Sequence, residues 1–305
     1  MNKLLLTFTC ILTALTCWGR DIVPFTINPT TNRMEVEVFV NNDSIPFTFI
    51  LDTGASAVFA NSNNERLVKL LNLTETDTVA NAYSTSIVQK TPFDNQIIMG
   101  SLMCDSIQIC CDNDPYEYDG IIGLSLLKKF KVGILPVTNM MIFCDNNEPL
   151  RFPDAIELPL KSGNGVLGTE LTIKADSCTY SGTFMVDTGF SGTINFSSQF
   201  IDRNNLSDKL KEYGNSTSKD GAGISGENLL VTVPRTYFGG ESLPLLPCQM
   251  DKDSSNSAYT EVFDGLIGYD ILKRYNMIFD FANSKLYIVT NFDFFSPFSS
   301  IKSNN

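Results

Sequence analysis

Residues 47–56 read FTFILDTGAS, a β-prone apolar run that ends in an acid, a hydroxyl residue and a glycine. Residues 182–191 read GTFMVDTGFS and repeat that pattern 135 positions later. A carboxylate at the end of a hydrophobic strand costs free energy unless it is hydrogen-bonded or used in chemistry. One Asp-Thr-Gly segment would be an ordinary turn with an Asx hydrogen bond. Two copies make Asp52 and Asp187 candidates for a shared site.

A second pair of matching segments indicates that the chain is duplicated. Residues 119–123 read DGIIG and residues 264–268 read DGLIG, 145 positions apart. Each is followed by a similar helical patch, LLKKF at 126–130 and ILKRY at 271–275. We interpret the basic pairs in these patches as solvated helix faces. Matched features in the same order indicate two similar lobes, with a period too long for a solenoid.

The duplication predicts an all-β, bilobal fold with few short helices and a cleft between two homologous β lobes. We expect a signal peptide at 1–19, an N-terminal β lobe with the first DTG at 20–153, a C-terminal β lobe with the second DTG at 154–292, and a tail at 293–305. Alternating apolar residues predict a strand at 34–40, and helices are predicted at 65–71 and 124–130. The Gly-rich residues 221–226 are expected to form a mobile loop rather than a phosphate cradle.

Composition excludes several classes of function. The chain has 305 residues, a formal net charge of −12 and no histidine. Without histidine there is no Ser-His or Cys-His nucleophile pair and no HExxH zinc site. Acid–base chemistry therefore falls mainly to carboxylates. The negative charge argues against nucleic acid as a partner, and we expect no metal and no cofactor.

The first 19 residues read as an export signal. A short positive start precedes an apolar run that is too short to span a membrane, and a cut after Gly19 follows small residues. Lipidation at Cys17 is the alternative, but the preceding residues make a poor lipobox. No later segment reaches 18 apolar residues, so we expect no transmembrane segment in the mature chain. The expected location is periplasmic or secreted.

Six cysteines follow the signal, an even number that permits three disulfides in an exported protein. Their clustering suggests a bond between Cys178 and Cys248 within the second half. Free buried cysteines are the alternative, since such residues are common.

Two equivalent loops that face each other across a pseudo-twofold axis would bring both aspartates together. Two carboxyl groups at such a short distance do not both ionise easily, so they share one proton. Aspartic proteases are the standard example of this effect. Gly54 and Gly189 would let the backbone turn sharply toward the carboxylates. Each threonine hydroxyl, on Thr53 and Thr188, would bond the opposite loop. The hydroxyls of Ser56 and Ser191 would bond the outer carboxylate oxygens.

With these motifs, residues 21–290 resemble the aspartic peptidases of the pepsin and retropepsin superfamily, with short, retropepsin-like lobes. The resemblance implies an endopeptidase that binds a peptide or protein substrate in extended form over the two aspartates, and we expect a monomer. It also implies that each catalytic loop is braced by a hydrophobic-hydrophobic-Gly segment. Those residues are Ile121, Ile122, Gly123, Leu266, Ile267 and Gly268.

Three features depart from the family pattern. Phe190 stands where a small residue is usual, and it would narrow or block a substrate pocket. Tyr83 is the candidate for the tyrosine of the flap, the hairpin that covers the cleft, with a surface tyrosine as the alternative. Strands fill the segment before Asp52, so we expect no long inhibitory prosegment. These departures leave a second hypothesis open, a catalytically inactive peptide-binding or inhibitory protein on the same fold. A two-carboxylate glycosidase would explain two acids but not two identical turns.

Overall fold

A computed structural model of the chain describes residues 19–81, 84–112, 118–220, 223–252 and 262–299. Residues 1–18 of the predicted signal segment, with Cys17, lie outside the described residues, as do Tyr83 and the end of the tail at 300–305. Most of the described chain is β-strand, and the α-helices found there are short. The predicted all-β fold class is confirmed. No helix in the described ranges is both long enough and apolar enough to cross a membrane.

The secondary structure elements of the described residues follow in chain order. The strands are β1 Arg20–Pro24, β2 Thr26–Ile27, β3 Met34–Val40, β4 Phe47–Leu51, β5 Val58–Asn61, β6 Glu75–Ala80, β7 Thr85–Lys90, β8 Asn95–Met99, β9 Leu102–Ile107, β10 Ile109–Asp112, β11 Gly120–Ile122, β12 Lys131–Leu135, β13 Met140–Cys144, β14 Ile156–Pro159, β15 Lys161–Gly163, β16 Val166–Ala175, β17 Cys178–Asp187, β18 Ile194–Phe196, β19 Lys211–Lys219, β20 Ser225–Phe238, β21 Glu241–Asp251, β22 Gly265–Gly268, β23 Tyr275–Asp280 and β24 Lys285–Thr290. The α-helices are α1 Glu65–Val68, α2 Leu124–Leu127, α3 Ser198–Asn204 and α4 Tyr269–Leu272.

Each half of the chain builds its own large sheet. The first has the strand order β6-β7-β10-β5-β11-β4-β3-β8-β9, with β2 beside β3, and the second has the order β15-β16-β17-β22-β18-β21-β20-β19. Strand β3 alternates between buried and more exposed positions, as its Met-Glu-Val-Glu-Val-Phe-Val sequence predicts. In the first half β11 runs parallel to β4, and in the second β22 runs parallel to β17. The short DG segments thus lie directly beside the strands that lead to the aspartates.

A third sheet joins the two halves in the order β1-β13-β12-β23-β24-β14. At its centre β12 pairs with β23, which sets Lys131 opposite Asp280. Lys131 Nζ lies 3.1 Å from Asp280 Oδ2, and both side chains are buried. Burial by itself would raise the pKa of Asp280, but hydrogen bonds from Asn283 and Lys131 outweigh it and hold the pKa low. A shared sheet therefore carries the junction between the halves.

The helices are shorter than the sequence predicts, and one basic pair has a different environment. The helix expected at 65–71 spans Glu65–Val68, and that expected at 124–130 spans Leu124–Leu127. Lys128 and Lys129 are exposed, as expected for a solvated face. The expectation is wrong for Arg274, which is completely buried.

Arg274 is buried because it anchors the chain that follows β24. Its guanidinium donates hydrogen bonds to the carbonyl oxygens of Asp293 and Phe294 at 3.0 and 3.2 Å, and to that of Ser296. It also lies 3.6 Å from the centre of the Phe298 ring. An arginine with five donors can satisfy several carbonyls at once, so it fixes the first part of the predicted tail.

All six cysteines after the signal are free, and the suggested bond between Cys178 and Cys248 is wrong. Cys178 is exposed at the start of β17, whereas Cys248 is buried within β21. Burial raises the pKa of the Cys248 thiol to about 12. Such a thiol is protonated and inert at neutral pH.

Candidate active site

The two aspartates meet at the interface between the two large sheets. Asp52 follows the last residue of β4, and Asp187 is the last residue of β17. Their carboxyl groups are joined by a hydrogen bond. Each glycine also packs against the opposite acid. A methyl group on Gly189 would lie 2.4 Å from the Asp52 carboxyl carbon, and one on Gly54 would lie 2.7 Å from that of Asp187.

Backbone amides hold each carboxylate in the same way. Asp52 Oδ1 accepts hydrogen bonds from the amides of Gly54 and Ala55 at 2.7 and 3.1 Å. Asp187 Oδ1 accepts equivalent bonds from the amides of Gly189 and Phe190 at 2.8 and 3.0 Å. These bonds fix one oxygen of each side chain and leave the other for the partner acid or a ligand.

Thr53 and Thr188 connect the two loops, as the sequence predicts. The amide of Thr53 donates to Thr188 Oγ1 at 3.0 Å, and the amide of Thr188 donates to Thr53 Oγ1 at 3.1 Å. Each hydroxyl in turn donates to a carbonyl of the opposite strand, Val186 for Thr53 and Leu51 for Thr188, at 2.7 and 2.9 Å. Both threonines are buried, so these four bonds are shielded from water.

The serines do not make the contact that the sequence predicts. Among the described residues, no hydrogen bond joins the hydroxyl of Ser56 or Ser191 to either carboxylate. Ser56 is exposed, and its carbonyl instead accepts the amide of Ser125 at 3.0 Å.

The hydrophobic-hydrophobic-Gly segments lie against the aspartate loops. In the first half, the carbonyl of Ile122 accepts the amide of Asp52 at 3.0 Å, and a Cβ at Gly123 would collide with the carbonyl of Ala57. In the second half, the amide of Gly268 donates to the carbonyl of Thr193 at 2.7 Å. Ile122 and Ile267 are buried in the core. The remaining two residues of the set, Ile121 and Leu266, line the cavity over the dyad.

The acids differ in their electrostatic surroundings. Burial raises the pKa of Asp187 well above its ordinary value, and the negative charge of Asp52 raises it further. Burial also raises the pKa of Asp52, but the hydrogen bond from Asp187, the Gly54 amide and the charge of Arg33 all act to lower it. Two adjacent carboxyl groups that both resist ionisation share one proton, and the charge of Arg33 favours the ionised form of Asp52.

Arg33 is a site residue that the sequence reading missed. Its Nε donates to the carbonyl oxygen of Gly189 at 2.9 Å, across the interface between the halves. Its guanidinium lies 5.8 Å from the centre of the Tyr118 ring. No local motif marks this arginine, although its position just before β3 places it one strand from the first aspartate loop.

Two hairpins, one from each half, cover the dyad. They are formed by β6 with β7 and by β19 with β20. Ser84 Oγ donates to Asp220 Oδ2 at 2.7 Å, which joins the hairpins above a cavity of about 270 Å³. The flap candidate Tyr83 lies outside the described residues. The Gly-rich segment expected to be a loop contributes Ser225 and Gly226 to the start of β20.

Phe190 lines the cavity without being fully buried. Its ring packs over two glycines, since a Cβ on Gly192 would lie 2.4 Å from the ring and one on Gly268 would lie 2.6 Å from it. The ring therefore forms part of one wall of the cavity. Among the described residues, no group of three or more His, Cys, Asp or Glu side chains is arranged to hold a metal ion.

The sequence matches no protein-family model, and no curated protein sequence is similar enough to match it. Solved structures do match. An aspartic proteinase from Irpex lacteus has a TM-score of 0.55 with this chain at 15% sequence identity, over 91% of this chain and 99% of that one. Basic 7S globulin from soybean has a TM-score of 0.54 at 11% identity, over 90% of this chain and 95% of that one.

The chain therefore has the pepsin-like fold of the aspartic proteinases. One similar structure is named as a proteinase and the other as a globulin, at nearly equal similarity. The fold alone does not choose between these kinds of protein. That choice depends on the chemistry of the site.

Proposed function

We propose that the protein is an exported aspartic endopeptidase, which hydrolyses peptide bonds with a water molecule activated between Asp52 and Asp187. The observation that carries this proposal is the hydrogen-bonded pair of carboxyl groups, held by matching amides and linked by Thr53 and Thr188. Two adjacent acids disfavour each other's ionisation, which a turn with a purely structural role does not require. The proposed export is supported by the N-terminal sequence.

The first step uses the different protonation states of the two acids. Asp52, as the carboxylate, accepts a proton from water while the water oxygen bonds to the carbonyl carbon of the substrate. Asp187, as the acid, transfers its proton to the carbonyl oxygen, which becomes a hydroxyl. The product is a neutral tetrahedral diol, with the proton now on Asp52 and the charge on Asp187.

The second step reverses these roles. The proton on Asp52 passes to the amide nitrogen, the C–N bond breaks and the amine leaves. Asp187 takes a proton from one hydroxyl, so the carbonyl of the new carboxylic acid forms. The dyad returns to its starting state, with one proton shared between the acids.

The substrate class is suggested by the space above the dyad. A cavity of about 270 Å³ is too small for an extended peptide of several residues. Entry of a peptide therefore requires the two hairpins to separate. Unfolded or flexible segments fit such a site better than folded domains.

Cleavage of an unfolded protein at pH 3–7 tests the proposal. We expect Asp52→Asn and Asp187→Asn each to lower kcat/KM by about 10²–10⁴-fold, because each removes one proton-transfer group. Asp176→Asn is the matched control, since Asp176 is exposed in a turn at positive φ, where Asn is well tolerated. Undiminished cleavage by both dyad variants would contradict the proposal.

A catalytically inactive peptide-binding or inhibitory protein is the second candidate function. Two observations favour it: the large side chain of Phe190 lines the cavity, and a globulin is among the similar structures. Isothermal titration with a peptide-like aspartic protease inhibitor separates the two. Binding by a wild-type protein that cleaves nothing between pH 3 and 7 would favour this second function.

A further inference from the structure

Arg33 and its neighbour Asn32 reach from the first half to the second aspartate loop. Arg33 Nε donates to the carbonyl of Gly189 at 2.9 Å, and Asn32 Nδ2 donates to that of Ser191 at 3.3 Å. These carbonyls flank Phe190. The two contacts attach the loop that carries Asp187 to the start of β3.

The guanidinium also brings a fixed charge to the dyad. Its positive charge lowers the pKa of Asp52. The phenol of Tyr118 packs against it. Among the described residues, the other charged side chains that line the cavity are Asp112, Lys219 and Asp220.

The second half has an apolar residue at the equivalent position. Ile50, two residues before Asp52, pairs with Glu35, and Met185, two residues before Asp187, pairs with Gly168. Counting back two residues along each strand leads to Arg33 in the first half and to Val166 in the second. Val166 is buried and also lines the cavity. Of these two equivalent positions, only the one in the first half carries a positive charge.

We propose that Arg33 is the positioning residue that makes the dyad asymmetric, so that Asp52 is the carboxylate that accepts the proton of water and Asp187 holds the shared proton. The assignment rests on the proposed function of the dyad. It deepens that function by naming the residue that separates the roles of the two acids. Arg33 acts through its charge on the acids, and its hydrogen bond to the carbonyl of Gly189 holds the guanidinium in place.

The test compares Arg33→Lys, Arg33→Met and Arg33→Gln with wild type. We expect the acidic limb of the kcat/KM profile, measured from pH 2 to 8, to move up by about one pH unit in the Met and Gln variants, since a neighbouring cation shifts a carboxyl pKa by about 1–3 units. The Lys variant keeps the charge and is expected to stay within about 0.3 units of wild type. Arg151→Met, in which the arginine is exposed, serves as the control.

A second readout is independent of cleavage. Carbon-13 NMR of aspartate-labelled protein follows the dyad titration directly, and the Asp52→Asn variant assigns the signals. The lower dyad pKa should rise in the Met and Gln variants and stay in place in the Lys variant. If the wild type cleaves nothing, the proposed function fails while this titration still measures the asymmetry.

Two results would overturn the inference. One is a titration of both neutral variants that superimposes on that of wild type. The other is a Lys variant that shifts as far as the neutral ones, which would assign the effect to the hydrogen bond with Gly189 rather than to charge.

Discussion

The first and second aspartate loops have almost the same hydrogen bonds. Each carboxylate accepts two amides at 2.7–3.1 Å, and each threonine links to the opposite loop. The DG aspartates match as well. Asp119 accepts the amide of Thr48, and Asp264 accepts the amide of Thr183, both at 2.8 Å. The two halves therefore hold the acids with equivalent hydrogen bonds.

The surroundings of the loops differ. Arg33 faces the dyad from the first half, whereas Val166 stands at the equivalent place in the second. Ala55 follows the first Asp-Thr-Gly, and Phe190 follows the second. Equivalent backbone hydrogen bonds therefore do not make the two acids equivalent. The charge of Arg33 and the volume of Phe190 make the surroundings of the two acids different. The amides and threonines that hold the acids are the same in both loops.

Apart from loss of either acid, the largest expected effect comes from substitution of the glycine in each loop. Gly189→Ala would place a methyl 2.4 Å from the Asp52 carboxyl carbon, and Gly54→Ala would place one 2.7 Å from that of Asp187. Displacing a catalytic group by about 1 Å costs roughly 100-fold in rate. We expect at least that loss of kcat/KM in each, measured by peptide cleavage, with Gly189→Ala the more severe.

Gly133→Ala is the control for these variants, because the nearest atom to its new methyl would be the end of the Leu150 side chain at 3.2 Å. If an alanine at either loop glycine were as active as this control, the close packing of glycine on the opposite acid would have no functional weight.

An effect of intermediate size is expected on the pH dependence of stability, and it concerns Asp187. The pKa of Asp187 is raised in the folded state, so its contribution is fully present below its unfolded pKa and is lost as the pH rises through the folded value. Asp187→Asn removes this loss and should be more stable than wild type at pH 8, by about 1.4 kcal/mol for each unit of the shift. Denaturant unfolding at pH 4–8 measures it.

The same series with Asp176→Asn corrects for the general effect of neutralising an acid. A difference between wild type and Asp187→Asn that stays constant from pH 4 to pH 8 would show that Asp187 titrates normally.

The smallest effect concerns the contact between the hairpins. Ser84→Ala removes the hydroxyl that donates to Asp220, a bond worth about 1 kcal/mol. We expect amide hydrogen exchange in β6 and β7 to rise about fivefold, since the hairpins separate more often. Changes in kcat/KM should stay below about threefold.

Ser86→Ala is the matched control, because Ser86 accepts a bond from Asn81 within the same hairpin at 2.8 Å. Equal exchange in the two variants would mean that the contact with Asp220 does not hold the hairpins together.

The sequence predicts the fold class and the aspartate loops because both depend on local patterns that occur twice. Apolar alternation and the Asp-Thr-Gly turns need no knowledge of distant contacts. Thr53 and Thr188 could be assigned to each other because symmetry supplies the contact. Tertiary context decides the features that the sequence reading missed.

Arg274 illustrates that limit. In sequence it belongs to a basic pair on a short helix, yet its partners are backbone carbonyls about 20 residues further along the chain. Carbonyls carry no signature in a sequence. The same holds for Arg33, whose acceptor is the carbonyl of Gly189. Cys178 and Cys248 show a different limit, because their clustering in the sequence suggested a bond that the fold does not form.

The sheet that joins the halves has a consequence for synthesis of the chain. Strand β12 is buried almost throughout and pairs on one side with β23, which is made about 140 residues later. At about 5–20 residues per second, the ribosome leaves that edge unpaired for roughly 7–28 seconds. An open apolar edge is a template for pairing with another chain. The arrangement that binds the halves together thus makes the nascent first half dependent on protection until the second has emerged.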